Sequence, residues 1–238
     1  MPVNADSVRL DSVRLRGRNR RPFVCEKMPS LRQLIAGHAP LLIIDAASTR
    51  IYVGAWGSDD RPEWQTSDEE AGIGIFQCLD RLSRRPDHAG AFVLCHGPGS
   101  ILGIRTVAMA IRTWLVFAPR PVFAYSSLAL VAHGMNRPEV GVIVDARRDS
   151  WHHYQLGRGL RRVPTADLTG ELVMPERFRT WSPAPPGLGS VPYSLPDLLP
   201  AVADHDLFQP TDAPDAFLHE EPAYVRWTPK IHRAPTKP

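Results

Sequence analysis

Cysteine is scarce in this sequence, and the cysteines present follow no recognisable pattern. Cys25, Cys78 and Cys95 are odd in number and lie at neither disulfide nor metal-binding spacing. This usage argues against a disulfide-stabilised scaffold and predicts a reducing, cytoplasmic location.

Long apolar runs are missing as well. The longest apolar stretch, residues 101–119, is interrupted by Arg105 and Arg112, whereas a membrane-spanning helix needs about 20 consecutive apolar residues. No apolar segment follows the basic residues near the N-terminus, so the sequence predicts neither a secretory signal nor a membrane partner.

Net charge is low, and most of it lies in one place. The chain has 238 residues, a net charge of +3 and 43% hydrophobic residues, which excludes wholesale disorder. Residues 1–27 hold seven basic and three acidic side chains, a net of +4, so the remainder carries −1. We interpret residues 1–39 as a basic, disordered tail with an alternative translation start at Met28. An arm that binds nucleic acid is the other interpretation.

Proline, in contrast, is abundant and unevenly placed. Of the 24 prolines, 14 lie between residues 164 and 238. Because proline disrupts helix interiors and central strands, the last third of the chain is expected to contain loops and short elements.

The hydrophobic pattern before residue 160 predicts alternating strands and helices. Two short apolar runs end in an aspartate, Asp45 and Asp145, as buried strands do when they run into a turn. The pattern predicts strands at 41–45, 51–56, 63–66, 91–95, 121–124, 140–145 and 151–156, and helices at 68–85, 100–118 and 126–133. The order predicts an α/β fold that begins with antiparallel strands, unlike a strict dinucleotide-binding domain.

The most conspicuous motif is Gly-Pro-Gly-Ser-Ile-Leu-Gly at residues 97–103. Its glycine spacing does not fit a dinucleotide fingerprint, no lysine follows Gly103 as a P-loop requires, and Pro98 stands where a nucleophile elbow needs glycine. A strand-to-helix turn capped by Ser100 is the structural interpretation. A phosphate held at the free N–H groups of the helix is the functional one.

Several motifs in the correct order resemble the TsaB family, also called YeaZ. The segment 96–105 is similar to that family's Gly-Pro-Gly-Ser stretch, and 42–48 resembles its opening Leu-Ala-Ile-Asp-Thr-Ser. Ser-Ser-Leu, Val-Asp-Ala-Arg-Arg followed by Tyr154, and Pro-Ala-Tyr-Val-Arg match further family segments at residues 126–128, 144–148 and 222–226. The family's His-Ser-Glu stretch is absent from residues 64–76, and residues 159–221 show no resemblance. The chain therefore resembles a divergent member.

The resemblance implies an actin-like, Hsp70-like fold of two lobes built around mixed sheets. It places the first lobe at residues 40–124 and the second, with the proline-rich C-terminal segment, at 125–238, and it allows that segment to return to the first lobe. Family members are non-catalytic subunits that support TsaD in threonylcarbamoyl transfer to tRNA adenosine, with the ATPase TsaE. The implied partners are TsaD-like and TsaE-like proteins, a second copy when the chain is alone, and tRNA only indirectly.

The resemblance also implies where ligands and partners would bind. No intrinsic cofactor, metal or catalytic residue is expected, although ATP or ADP is allowed at an interface of the complex. The weak candidates for a cofactor site are Asp45, Ser48, Gly97, Gly99 and Ser100. The expected partner interface lies on two helices, at Leu102, Gly103, Arg105, Val107, Ile111, Trp114, Ile75 and Leu79.

Other functional classes stay open at this stage. A small-molecule kinase of the same superfamily would use Asp45 and Asp145 to position magnesium and an attacking hydroxyl. A peptidase would need a nucleophile–base pair or a metal site. Arg147 and Arg148, with Trp151 and Tyr154 nearby, form a candidate basic-aromatic patch for tRNA. The adjacent His152 and His153 point to opposite faces of a strand and cannot chelate a metal together.

Overall fold

A computed structural model describes residues 28–58 and 61–217. In this part of the chain five helices accompany two mixed β-sheets. The helices are α1 (Leu31–His38), α2 (Ala71–Arg81), α3 (Ile101–Phe117), α4 (Ser127–Met135) and α5 (Leu195–Ala201).

The first sheet has six strands in the order β11-β5-β4-β1-β2-β3. Its strands are β1 (Leu41–Asp45), β2 (Ile51–Trp56), β3 (Pro62–Ser67), β4 (Ala91–Gly97), β5 (Val122–Ser126) and β11 (Gln209–Pro210). β1, β2 and β3 pair antiparallel, whereas β4 and β5 continue the sheet parallel to β1. The late strand β11 pairs with β5, so part of the proline-rich region lies on the first sheet.

The second sheet repeats this arrangement with five strands in the order β10-β9-β6-β7-β8. Its strands are β6 (Gly141–Asp145), β7 (Ser150–Gln155), β8 (Gly159–Pro164), β9 (Leu172–Pro175) and β10 (Gly189–Val191). β6, β7 and β8 form an antiparallel meander, and β9 lies parallel to β6 on the other side. A duplicated meander with parallel strands added beside its first strand is the arrangement expected of the actin-like fold, so the expected fold class is confirmed.

Strand burial follows directly from the apolar runs in the sequence. Along β1, Leu41 and Ile43 face the core between the two sheets, whereas Leu42 and Ile44 face α2 and α3. Both faces of this strand are covered, which is why its sequence is continuously apolar rather than alternating. The core between the sheets includes residues of β4, β6, α1, α4 and α5, so the two sheets share one interior.

The structure corrects the predicted limits of the N-terminal tail. Residues 31–38 form α1, and Leu31 and Leu34 are buried in the shared core. Ser30 accepts the N–H of Gln33, while the Gln33 side chain accepts the N–H of Ser30, a reciprocal cap that starts the helix. The short helix was missed because its two apolar anchors give too weak a periodic signal. Residues 1–27 lie outside the described part.

Most predicted elements agree with the structure within a few residues, with one clear difference at α2. Eleven residues form this helix, Ala71–Arg81, instead of the whole range 68–85. Glu70 is its N-cap, and the chain turns away after Leu82, which is itself buried. Between residues 159 and 217, the described part of the proline-rich region, the elements are mainly short, consistent with its proline content.

Candidate functional site

The two strand-end aspartates lie where β1 and β6 run into their following turns, but each is already fully engaged. Asp45 is buried, and its Oδ2 accepts the hydroxyls of Tyr125 at 2.6 Å and Tyr193 at 2.7 Å. Its Oδ1 accepts the N–H of Ala47 at 2.8 Å. Both carboxylate oxygens are therefore held by groups of the chain itself.

Burial dominates the electrostatics of this cluster. It raises the pKa of Asp45 above 3.8, although the hydrogen bonds from Tyr125, Tyr193 and Ala47 act in the opposite direction. Burial also raises the pKa values of Tyr125 and Tyr193 well above 10.0. A buried carboxyl group with no free lone pair facing an open space is poorly suited to hold magnesium.

Asp145 is the equivalent residue of the second sheet, and backbone amides surround it. Its Oδ1 accepts the N–H of Arg147 at 2.5 Å, and its Oδ2 accepts those of Trp181 at 2.7 Å and Ser182 at 2.6 Å. Burial acts to raise the pKa of Asp145, but the amides of Ser182, Trp181 and Arg147 outweigh it, so the pKa lies below 3.8. Asp145 is thus a stable carboxylate that anchors a distant segment of the chain.

The glycines of the 97–103 motif allow two backbone segments to pack closely. A Cβ on Gly99 would overlap the carbonyl oxygen of Ala47, and one on Gly103 would overlap that of Ala46. The N–H of Ser100 donates to the Ala47 carbonyl at 2.7 Å, which joins the motif to the turn after β1. Close backbone packing therefore explains why Gly99 and Gly103 are glycines, as the structural interpretation of the motif requires.

Serines complete this junction. Ser100 accepts the N–H of Gly103 as the N-cap of α3, and Ser48 donates its hydroxyl to the Arg50 carbonyl at 2.7 Å. Ser127, in the Ser-Ser-Leu segment, donates to the Pro98 carbonyl at 2.6 Å. The hydroxyls near the turns thus stabilise the turns themselves.

The space between these turns is very small. Ser48, Gly99 and Ser100 line it together with Asp145, whereas Asp45 and Gly97 do not reach it. Residues of the proline-rich region, Phe178, Arg179 and Trp181, close its other side and leave a cavity of about 20 Å³. Such a cavity holds about one water molecule. This cavity has no room for a nucleotide.

The predicted basic-aromatic patch has a different composition from the one expected. Trp151 is fully buried and donates its indole N–H to Thr165, so this side chain cannot stack on a base. The aromatic partner of Arg147 is Trp181, whose ring centroid lies 4.3 Å from the guanidinium carbon. The prediction of Trp151 in this patch is wrong because the residue points into the outer core of the second sheet.

The neighbouring helices α2 and α3 both carry exposed apolar side chains. We define the α2–α3 face as the exposed side chains Ile73 and Phe76 of α2 and Leu102, Met109 and Val116 of α3. The three residues of α3 are seven apart, so they lie on one side of that helix. Leu102 is 79% exposed and Val116 is 81% exposed.

The predicted interface positions differ in their exposure. Five of the eight are buried in the chain's own core: Gly103, Val107, Ile111, Ile75 and Leu79. Leu102 and Arg105 are exposed, and Trp114 is half-buried against Phe92. Most of the predicted positions therefore lie on the sides of α2 and α3 that face the chain's own core.

The sequence contained a signal for the residues that were missed. Ile73 and Phe76 are apolar residues three apart in a helix that also carries Ile75 and Leu79 on its inward side. A helix with apolar residues on two sides exceeds what one sheet contact requires. Tyr193 and Trp181 had no such signal, because only the return of the proline-rich region brings them to the aspartates.

Two other expectations concern metals and membranes. Within residues 28–58 and 61–217 no group of three or more His, Cys, Asp or Glu side chains could hold a metal ion. In the same part of the chain no helix has the length and hydropathy needed to cross a membrane. The Pro-Ala-Tyr-Val-Arg segment at residues 222–226 lies outside the described residues.

Comparisons with known proteins give matches among solved structures. No family model matches the sequence. No curated protein matches it either. The chain is similar to the structure of YeaZ from Pseudomonas aeruginosa, with 22% identity and a TM-score of 0.46 over 57% of this chain and 74% of that one. It is also similar to the crystal structure of an uncharacterized protein described as similar to peptidase YEAZ from Pseudomonas aeruginosa. That match has 20% identity and a TM-score of 0.48, over 68% of this chain and 89% of the other. The YeaZ name in both matches is that of the family which the sequence motifs resemble.

Proposed function

We propose that this chain is a non-catalytic member of the TsaB (YeaZ) family that supports a TsaD-like subunit in threonylcarbamoyl transfer to tRNA adenosine. The ordered motif resemblance supports the family. The observation that carries the role is the α2–α3 face, because several exposed apolar side chains on two neighbouring helices are typical of a surface that pairs with another protein.

The chemistry of the α2–α3 face suits a helical partner. Apolar residues at seven-residue spacing on α3, next to those of α2, form ridges against which two further helices can pack. Arg105 and Arg112 lie beside the apolar stripe, each 3.5 Å from a carboxylate oxygen of Asp215. This ion-paired border resembles the polar rim that surrounds the apolar centre of a protein interface.

In this proposal the transfer reaction takes place in the TsaD-like partner and not in this chain. The hydrogen-bonding positions of Asp45 and Asp145 are taken by groups of the chain, and the cavity between the adjoining turns is about 20 Å³. Burial raises the pKa of Cys78 and, more strongly, of Cys95 above 9.0, which disfavours the nucleophilic thiolates. TsaD would supply the metal site and the transfer step, with TsaE as the associated ATPase.

The alternatives from the sequence receive no comparable support. A kinase needs room for a nucleotide and a carboxylate free to orient magnesium, and neither Asp45 nor Asp145 is arranged in this way. A peptidase would need a metal cluster or an activated nucleophile, and no such cluster lies within the described residues.

Reconstitution with the TsaD-like protein of the same genome tests the proposal. We expect no threonylcarbamoyl transfer by this chain alone and restored transfer when it is added to TsaD and TsaE. Leu102→Glu or Met109→Glu should weaken the Kd for TsaD by about tenfold or more, because a charge in a desolvated contact is costly. Both side chains are exposed, so the melting temperature of the free chain should hardly change.

Ala36→Glu is the matched control, since it adds the same charge to an exposed position of another helix, α1. This variant should bind TsaD as tightly as the unmodified chain. Full affinity in both face variants, or robust transfer by this chain alone, would contradict the proposal. Sedimentation of the same variants also shows whether the free chain uses this face to pair with a second copy.

A further inference from the structure

The segment between β9 and α5 crosses the opening between the two sheets and is bonded to both of them. We define residues 177–193 as the strap. At its start the Arg177 carbonyl accepts the N–H of Thr49 at 2.8 Å, in the turn between β1 and β2. Near its middle the strap donates two amides to Asp145, at the end of β6. At its end the Tyr193 hydroxyl reaches Asp45.

Apolar packing reinforces these hydrogen bonds. Phe178 is buried and packs edge-on against Tyr193, with ring centroids 4.9 Å apart. The hydroxyl of Tyr52, on β2, donates to the Tyr193 carbonyl at 2.6 Å. Each strand-end aspartate therefore binds one part of the strap, and a buried aromatic pair fills the space between those parts.

We infer that the strap is an internal ligand: it fills the space between the turns after β1 and β6 and holds these turns in one arrangement. The amides of Trp181 and Ser182 both donate to Asp145, so this carboxylate is bound by the chain itself. The cavity left beside them, about 20 Å³, holds no more than about one water molecule. The turns are thus organised without an external ligand.

A contiguous set of contacts leads from the strap to the start of α3. Tyr193 binds Asp45, which accepts the N–H of Ala47, and the Ala47 carbonyl accepts the N–H of Ser100. Ser100 caps α3, and Leu102 of the α2–α3 face follows two residues later. The strap therefore sets the position of the first turn of α3, and its effect on partner binding rests on the proposed function.

Two tyrosine variants distinguish the effect of the strap from the effect of losing any hydrogen bond to the buried carboxylate of Asp45. Tyr193→Phe removes the bond between strap and Asp45, whereas Tyr125→Phe removes a bond of similar length to the same oxygen from within the first sheet. We expect native-state hydrogen exchange to accelerate about tenfold in residues 188–194 for Tyr193→Phe alone, and to accelerate more in the first turn of α3 for Tyr193→Phe than for Tyr125→Phe. Equal acceleration in both variants, or none in either, overturns the inference.

Asp145→Asn provides an independent test at the other end of the strap. It should accelerate exchange of the Trp181 and Ser182 amides about tenfold or more, because they lose a charged acceptor. Asp149→Asn, in the same turn and exposed, is the control and should leave these amides unchanged. Unchanged amides in Asp145→Asn, or equal changes in both variants, refute the inference even if Tyr193→Phe fails to fold.

Two binding measurements complete the test. The unmodified full chain should show no ATP or ADP binding by calorimetry at millimolar nucleotide, and saturable binding with the strap in place overturns the inference. Tyr193→Phe should weaken the Kd for TsaD several-fold more than Tyr125→Phe. If the unmodified chain does not bind TsaD, the proposed function fails, and hydrogen exchange still decides the inference on the strap.

Discussion

Replacing Gly103 with alanine tests how closely α3 packs against the turn after β1. In an unconstrained helix interior, this change would stabilise the fold by about 1 kcal/mol through helix propensity. Here the new Cβ would overlap the carbonyl oxygen of Ala46, a backbone atom that cannot rotate away as a flexible side chain could. Overpacking costs about 1–3 kcal/mol, and we expect the upper part of this range, about 2–3 kcal/mol, because a backbone atom must move. After subtraction of the propensity gain of about 1 kcal/mol, the expected net loss is about 1–2 kcal/mol.

The matched control is Gly72→Ala in α2, where an added Cβ meets nothing within 4 Å. It should stabilise the chain by about 0.5 kcal/mol, since it gains propensity without a clash. Thermal and urea unfolding measure both changes, and 1 kcal/mol corresponds to about 2–4 °C in Tm at this size. Gly103→Ala should therefore melt about 2–8 °C lower. If Gly103→Ala is as stable as Gly72→Ala, the inference that α3 packs closely against the turn after β1 is wrong.

The remaining predictions concern pH, the core and the N-terminus. Burial raises the pKa of Asp45, so its contribution to the free energy of unfolding is complete below pH 3.8 and is lost as the pH rises through the raised pKa. Asp45→Asn should remove this loss of stability, as measured by urea unfolding at a series of pH values. The pKa of Asp145 is lowered, so its contribution to the free energy of unfolding is present above pH 3.8 and is lost as the pH falls through the lowered pKa. Asp145→Asn should remove this sensitivity to acid. An unchanged dependence of stability on pH would contradict the role of Asp145 as an anchor. Ile111→Glu should unfold the free chain, seen as lost cooperative melting, because Ile111 is fully buried. A chain started at Met28 should keep its Tm and its binding to TsaD, and a lower value of either would show that residues 1–27 contribute.

Local sequence patterns were sufficient to predict the strands and helices that have a clear apolar run or a recognisable helix cap. The apolar runs of β1, β4 and β6 are covered on both faces, and this complete burial is visible as continuous hydrophobicity. Ser100 is a recognisable cap because its hydroxyl acts on an amide three residues away, within the same turn. The α/β class followed from the order of these elements, whereas the actin-like fold was implied by the family resemblance.

The motifs were recognisable, but their roles were not. The glycines at 97–103 fitted both a phosphate-binding turn and a structural one, and only the position of the Ala46 and Ala47 carbonyls distinguishes the two. The strand-end aspartates similarly fitted a catalytic pair. Their partners, such as Tyr193, are more than a hundred residues away from Asp45, beyond the reach of any local pattern.

The sequence alone thus determined most elements between residues 41 and 156, their order and the two helices that carry the apolar face. Only the tertiary structure decided which side of those helices is free and what occupies the opening between the sheets. The physical reason is that periodicity reports how many sides of a helix are apolar but not which side the sheet covers. Likewise, a proline-rich segment without periodicity shows no preferred partner until Asp45 and Asp145 accept its hydrogen bonds.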